Sequence, residues 1–186
     1  MSRAGFVLAG GRSSRMGRDK ALLPFRGGTL GGYVAAAVAS AAGSAIVIGD
    51  PQKYAILGYP VTPDRTPGIG PLGGIETALS CTAADWNLIL ACDMPGITLP
   101  FLLELLEKAE ASFADAVIPC GPSGIMEPLC AVYHARCLTV LRNALDSGVR
   151  KVTAALESLR ITTWNVPDSG VFENLNTPEE WACHDA

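Results

Sequence analysis

Lys20, Arg15, Asp64 and Asp93 are the residues whose types and settings could do chemistry in this 186-residue chain. Lys20 and Arg15 stand in VLAGGRSSRMGRDKALL (7–23), where Gly10 and Gly11 directly follow an apolar run. Paired glycines at such a strand end let the backbone turn sharply, and successive N–H groups at the bend form a concavity for anions. Arg15 brings a fork that matches phosphate oxygens, and Lys20 a compact charge. Arg3, Arg12, Arg15, Arg18, Lys20 and Arg26 are six of the 14 basic residues, and Asp19 is the only acid before Asp50. So much local positive charge implies a polyphosphate partner. A Walker loop is excluded, because Gly17 is followed by Arg-Asp-Lys-Ala with no magnesium-binding hydroxyl. The dinucleotide fingerprint fails because no glycine follows Gly11 until Gly17.

Two acids complete the set. PDRTPGIGPLGGIETAL (63–79) places Asp64 at a strand end, followed by Gly70, Gly73 and Gly74 at the opening of a helix. These glycines permit close backbone approach, and a helix start favours negative charge. LILACDMPG (88–96) puts Asp93 immediately beyond an apolar strand. A carboxylate there must meet solvent, a donor or a cation, and a magnesium ion is the sharper reading; a capping Asp before Pro95 is the plain one. FENLNTPEEW (172–181) reads as a helix start, with Asn176 or Thr177 at the cap and Pro178 in the first turn. That account leaves Asn174 unexplained.

These residues need a scaffold, and the apolar pattern supplies one. GFVLA (5–9), AIVIG (45–49), WNLILA (86–91) and DAVIP (115–119) are continuous apolar runs of the kind found in parallel strands covered on both faces. Helical stretches at Thr29 to Ala42, Pro71 to Cys81 and Thr98 to Ala111 alternate with them, with Thr98 as a cap and Pro71 and Pro100 in first turns. The pattern predicts one α/β domain over 1–186, a Rossmann-like, doubly wound, mostly parallel sheet, with ligands at the carboxyl ends of the strands. PLCAVYH (128–134) reads as an antiparallel strand. Helices over Ala135 to Asp146 and Val152 to Leu159, a strand ITTWNV and a last helix after Asn176 follow.

Bulk properties narrow the function. With 49% hydrophobic and 17% charged residues and a net charge of −4, the chain is globular and not a general nucleic-acid or membrane-surface binder. Six cysteines without paired close spacing, and only two histidines, argue against a structural metal site. The cysteines read as buried, reduced thiols of a cytoplasmic protein. His134 reads as a packing or capping residue, and Cys183 and His184 as the end of a helix. The opening apolar run is too short for a signal-peptide core, and no stretch is long and apolar enough to span a bilayer.

LAGGRSSRMGRDKALL closely resembles the signature loop of the molybdenum cofactor guanylyltransferases. The Asp64-GPLGG, Asp-Met-Pro and Asn-x-Asn-Thr-Pro-Glu-Glu elements follow in that family's order over nearly the whole chain. The resemblance implies a nucleotidyltransferase fold and transfer of GMP from GTP to the phosphate of molybdopterin, with release of pyrophosphate. It implies nucleotide contacts at Leu8, Ala9, Gly10, Gly11, Lys20, Asp64, Gly74 and Asp93, and catalytic roles for Arg15, Lys20 and Asp93. Asp93 would be the Mg2+ ligand, and Asn174 and Asn176 would lie on the acceptor or metal side. Leu8-Ala9-Gly10-Gly11 and Gly70 to Gly74 favour guanine over the sister cytidylyltransferases, and Glu127 stands where some relatives carry His. A cofactor-delivering protein and a monomer or weak oligomer complete the expectation. Another nucleotidyltransferase, or a non-enzymatic nucleotide-binding module, are the competing readings.

Overall fold

The computed structural model describes residues 1–10 and 19–172 of the chain. The first strand, β1 (Arg3–Leu8), is buried along almost its whole length. A small hairpin of β2 (Pro24–Phe25) and β3 (Gly28–Thr29) leads into α1 (Leu30–Ala42), whose first turn is capped by the Thr29 hydroxyl accepting from the Gly32 N–H at 3.2 Å. Then come β4 (Ile46–Ile48), a single turn of helix α2 (Pro51–Tyr54), the two-residue strand β5 (Val61–Thr62), α3 (Pro71–Ser80) and β6 (Trp86–Ala91). The second half adds α4 (Leu99–Glu110), β7 (Ala116–Cys120), β8 (Cys130–His134), α5 (Cys137–Asp146), α6 (Val152–Leu156) and β9 (Ile161–Asn165).

Seven of these strands form one sheet in the order β5-β4-β1-β6-β8-β7-β9. β8 pairs antiparallel with both β6 and β7, and the other pairings are parallel. From β1 the chain moves outward to β4 and β5, then returns through α3 to β6 on the other side of β1. The strand order therefore reverses between β1 and β6, and the carboxyl ends of these two strands flank the crevice that such a reversal leaves open.

Alternation along the strands builds two cores. Val7, Leu88, Leu90, Val117 and Val132 face α1 and α4. Phe6, Leu8, Ile89, Ile118 and Tyr133 face α3, α5 and α6. Both sheet faces are thus covered, which is why the strands read as continuous apolar runs. Gly5 permits the closest approach: a Cβ there would lie 2.4 Å from the Ser44 carbonyl oxygen and 2.4 Å from Val38 Cγ1.

The expected α/β, doubly wound, mostly parallel architecture is present, including the reversed strand at 130–134. Thr98 caps α4, with Pro100 in its first turn. β5 and α2 are additions, and the helix expected from Val152 closes at Leu156. His134 packs its ring edge-on to Trp86 at 4.8 Å between centroids. The cysteines need correction. Cys120, Cys130 and Cys137 are buried free thiols, but Cys81 is exposed because it follows the last turn of α3, and Cys92 is half-buried because it borders a cleft.

Candidate active site

A cleft of about 790 Å³ opens at the carboxyl ends of β1 and β6, where the topology leaves room for it. Its floor is held in register by backbone bonds. The Ala9 N–H donates to the Ile48 carbonyl at 3.0 Å and the Cys92 N–H to the Leu8 carbonyl at 3.2 Å. Beyond these bonds both strands break off, β1 into Ala9 and Gly10 and β6 into Cys92 and Asp93.

Asp93 follows β6 by two residues and Lys20 begins a short 3₁₀ turn (Lys20–Leu22) on the far side of β1. They meet: Lys20 Nζ stands 2.9 Å from Asp93 Oδ2, both side chains being about one-fifth exposed. An ammonium and a carboxylate paired at the rim of a cleft are poised to exchange partners when a charged ligand arrives. Asp93 starts no helix, so the plain capping account of it does not hold; α4 takes its cap from Thr98.

Asp64 enters from beyond β5 and lies against the end of β1, where a Cβ on Gly10 would come within 3.2 Å of its Oδ2. Burial raises the Asp64 carboxyl above its ordinary range. The loop that carries it is tied to α3, since the Arg65 N–H donates to Thr77 Oγ1 at 3.1 Å. Next to Arg65 side chain, the buried Glu76 carboxylate binds Arg142 Nε at 2.7 Å and so locks α3 to α5. The same loop turns into α3 through Gly68 and Gly70, both with positive φ, and α3 begins on Pro71 without a side-chain cap. Gly70, Pro71 and Gly74 bring the positive end of the α3 dipole to the cleft wall, a setting that favours phosphate.

Leu8, Ala9, Gly10, Lys20, Asp64, Gly74 and Asp93 therefore come together around one cavity. Gly74 has a second reason to be glycine: its missing Cβ faces Leu8, 3.2 Å from Cδ2, so α3 can pack on the end of β1. Gly11, Arg15, Asn174 and Asn176 lie outside the described residues. Glu127 is partly buried near the start of β8, and burial raises its carboxyl. Sequence reasoning missed Cys92, whose thiol is pushed up to about 12 by burial and then by Asp93 and Asp19. It also passed over Asp19 and Tyr54, which stand under Lys20 and pair across 35 residues.

Comparison with known proteins identifies the family. Residues 5–160 match the model of the MobA-like NTP transferase domain. This chain belongs to that family. A probable molybdenum cofactor guanylyltransferase of Deinococcus radiodurans is 35% identical over 178 residues, covering 95% of this chain and 90% of the relative. A probable molybdenum cofactor guanylyltransferase of a Nostoc species is 34% identical, covering 95% and 87%. The crystal structure of molybdopterin-guanine dinucleotide biosynthesis protein A from Archaeoglobus fulgidus superposes with a TM-score of 0.83 at 25% identity, covering 98% of this chain and 96% of that one. As a member of the MobA-like NTP transferase family, the chain is a nucleotidyltransferase, and the cleft at the sheet reversal is where its fold gathers ligands. No helix among the described residues is long and apolar enough to cross a membrane.

Proposed function

We infer that this chain transfers GMP from GTP to the terminal phosphate of molybdopterin and releases pyrophosphate. The observation that carries the reading is the Lys20–Asp93 pair, 2.9 Å apart at the carboxyl ends of the strands, in a chain 35% identical over nearly its whole length to a probable molybdenum cofactor guanylyltransferase. The acceptor phosphate attacks the α-phosphorus in line and the α–β bridging oxygen departs with pyrophosphate. A phosphate monoester is already anionic at neutral pH, so the protein's task is positioning and charge neutralisation, not proton abstraction. Lys20 is drawn from Asp93 to the phosphates and stabilises the charge that grows on them. Arg15 joins it from the signature loop. The positive end of the α3 dipole and the backbone at Gly10 receive the nucleotide, with Asp64 beside them. Asn174 and Asn176 belong to the acceptor side of the same proposal.

Enzymes of this family generally use a divalent metal, and we propose magnesium here. The donor set suits it: Asp93 is a hard oxygen ligand, partly exposed in the cleft, and magnesium is usually held by one or two carboxylates with the rest of its shell from water and substrate phosphates. When bound, it supplies charge neutralisation on the phosphate oxygens. We propose also that residues 1–186 act as one domain, as a monomer or weak oligomer in the cytoplasm. The free thiols among the described residues suit such a reducing compartment. A carrier protein would hand over the acceptor, because a reactive cofactor is best transferred without release.

Lys20→Ala and Asp93→Ala test the assignment. Each should fold, with an unchanged circular dichroism spectrum, and lose about a hundredfold or more in pyrophosphate release, the usual effect of removing one group that stabilises transition-state charge. Near-normal turnover by either variant would remove that residue from the mechanism.

A further inference from the structure

The turn that presents Lys20 is fastened through Asp19, at the edge of the cleft, to Tyr54 and Lys53 outside it. Asp19 Oδ1 accepts the Ala21 N–H at 3.0 Å and caps the turn. Its other oxygen, Oδ2, accepts the Tyr54 hydroxyl at 2.7 Å and faces the Lys53 ammonium. Tyr54 ends α2 and is only 3% exposed. Its ring lies against Gly49, where a Cβ would fall 2.6 Å from Cε2, and the Gly49 N–H is itself bonded to the Thr62 carbonyl at 2.9 Å. Contacts therefore run without a break from the ends of β4 and β5, through Tyr54 and Asp19, to Lys20 and on to Asp93 beyond β6.

Capping alone does not account for this arrangement. The bond to Ala21 fixes Asp19 within its own turn, but not where the turn stands relative to the sheet. The Tyr54 hydroxyl does that, because its ring is buried and can move little. Lys53 is about half exposed, on a flexible stem, and can neutralise the carboxylate without setting its position. A buried hydroxyl needs a partner, and a carboxylate is the strongest acceptor available to it.

We propose that Tyr54 is a positioning residue for the transfer reaction: through Asp19 it fixes the turn from which Lys20 reaches the phosphates. The proposal rests on the role of Lys20 stated above. Tyr54 is not among the residues that line the cleft, so its effect should fall on turnover and need Lys20 to be felt.

A double-mutant cycle tests it, with single-turnover pyrophosphate release from GTP and a molybdopterin-loaded acceptor measured for the wild type, Tyr54→Phe, Lys20→Ala and the double variant. Tyr54→Phe removes one oxygen and keeps the ring. It should lower the rate about tenfold, short of the hundredfold that a 1 Å misplacement can cause, while KM for GTP stays within threefold. In the Lys20→Ala background the same change should cost less than twofold. Lys53→Met, which removes only the mobile partner, should stay within threefold of wild type. A tenfold loss in both backgrounds, or a Tyr54→Phe rate within twofold of wild type, overturns the proposal. Near-normal turnover by Lys20→Ala alone would instead strike at the Lys20 reading beneath it, so the two failures are distinguishable.

Discussion

Two glycine-to-alanine substitutions, at Gly5 and Gly74, should have opposite consequences although both glycines lie where a helix packs on the central strand. At Gly5 the new methyl would sit 2.4 Å from the Ser44 carbonyl oxygen and 2.4 Å from Val38 Cγ1, with Ala42 Cβ at 3.2 Å. The oxygen belongs to backbone, so α1 and the turn after it must move by about 1 Å to restore van der Waals contact. Overpacking of this kind costs about 1–3 kcal/mol, occasionally more, and the smaller entropy of an unfolded alanine returns about 0.5–1 kcal/mol. With backbone as the obstacle the upper half applies, and a net loss of about 2 kcal/mol follows. For a chain of this length that lowers the melting midpoint by roughly 4–8 °C. At Gly74 the nearest atoms to the methyl would be those of the Leu8 side chain, 3.2 Å away at Cδ2, which need give by only a few tenths of an ångström. Alanine is there favoured by about 1 kcal/mol of helix propensity, so the two effects roughly cancel. Thermal unfolding followed by circular dichroism should place Gly5→Ala well below wild type and Gly74→Ala within about 2 °C of it. A Gly5→Ala midpoint within 2 °C of wild type, or equal losses at both sites, would refute the reasoning.

Acid stability should depend on Asp115 and thiol reactivity on burial. Burial works to raise the Asp115 carboxyl, but the Arg160 N–H and the Arg160 and Arg136 side chains outweigh it and bring it down to about 2. A lowered carboxyl contributes stability that is full above pH 4 and lost as pH falls toward 2. Because Arg136 is 42% and Arg160 72% exposed, solvent screens the pairs and the contribution is on the order of 1 kcal/mol. Urea midpoints of wild type and Asp115→Asn should differ at pH 6 and converge near pH 2; a constant gap would contradict this. At pH 8, iodoacetamide should label Cys81 quickly and Cys92 only after unfolding, since the Cys92 thiol is pushed up to about 12. Peptide mass spectrometry would show it, and rapid labelling of Cys92 in the folded protein would contradict the raised thiol.

The elements that carry the site were legible because they are locally strong. An apolar run ending in paired glycines, and another ending in Asp93, declare strands with polar ends, and Thr98 and Pro100 announce a helix. Alternate burial on the two faces of β1 and β6 follows directly from such runs. What was not legible depends on partners far apart in the chain. β5 has two residues and exists because β4 offers it an edge. Asp19 looks like a lone acid in a basic loop until folding brings Tyr54 to it. From the sequence Gly74 suggests closeness to a ligand, yet which atoms face a glycine is decided by packing, and here Leu8 is one of them. The exposure of Cys81 likewise comes from its place just past a helix end, which its apolar flanks conceal.

The central claim is the transfer itself, and nucleotide choice tests it most directly. Purified protein would be given magnesium, a molybdopterin-loaded acceptor, and GTP, CTP, ATP or UTP in turn, with pyrophosphate release as the readout. The account predicts release with GTP and little with the other three. Preference for CTP would contradict guanylyl transfer while leaving the cleft chemistry intact, and no release with any nucleotide would contradict the transferase itself.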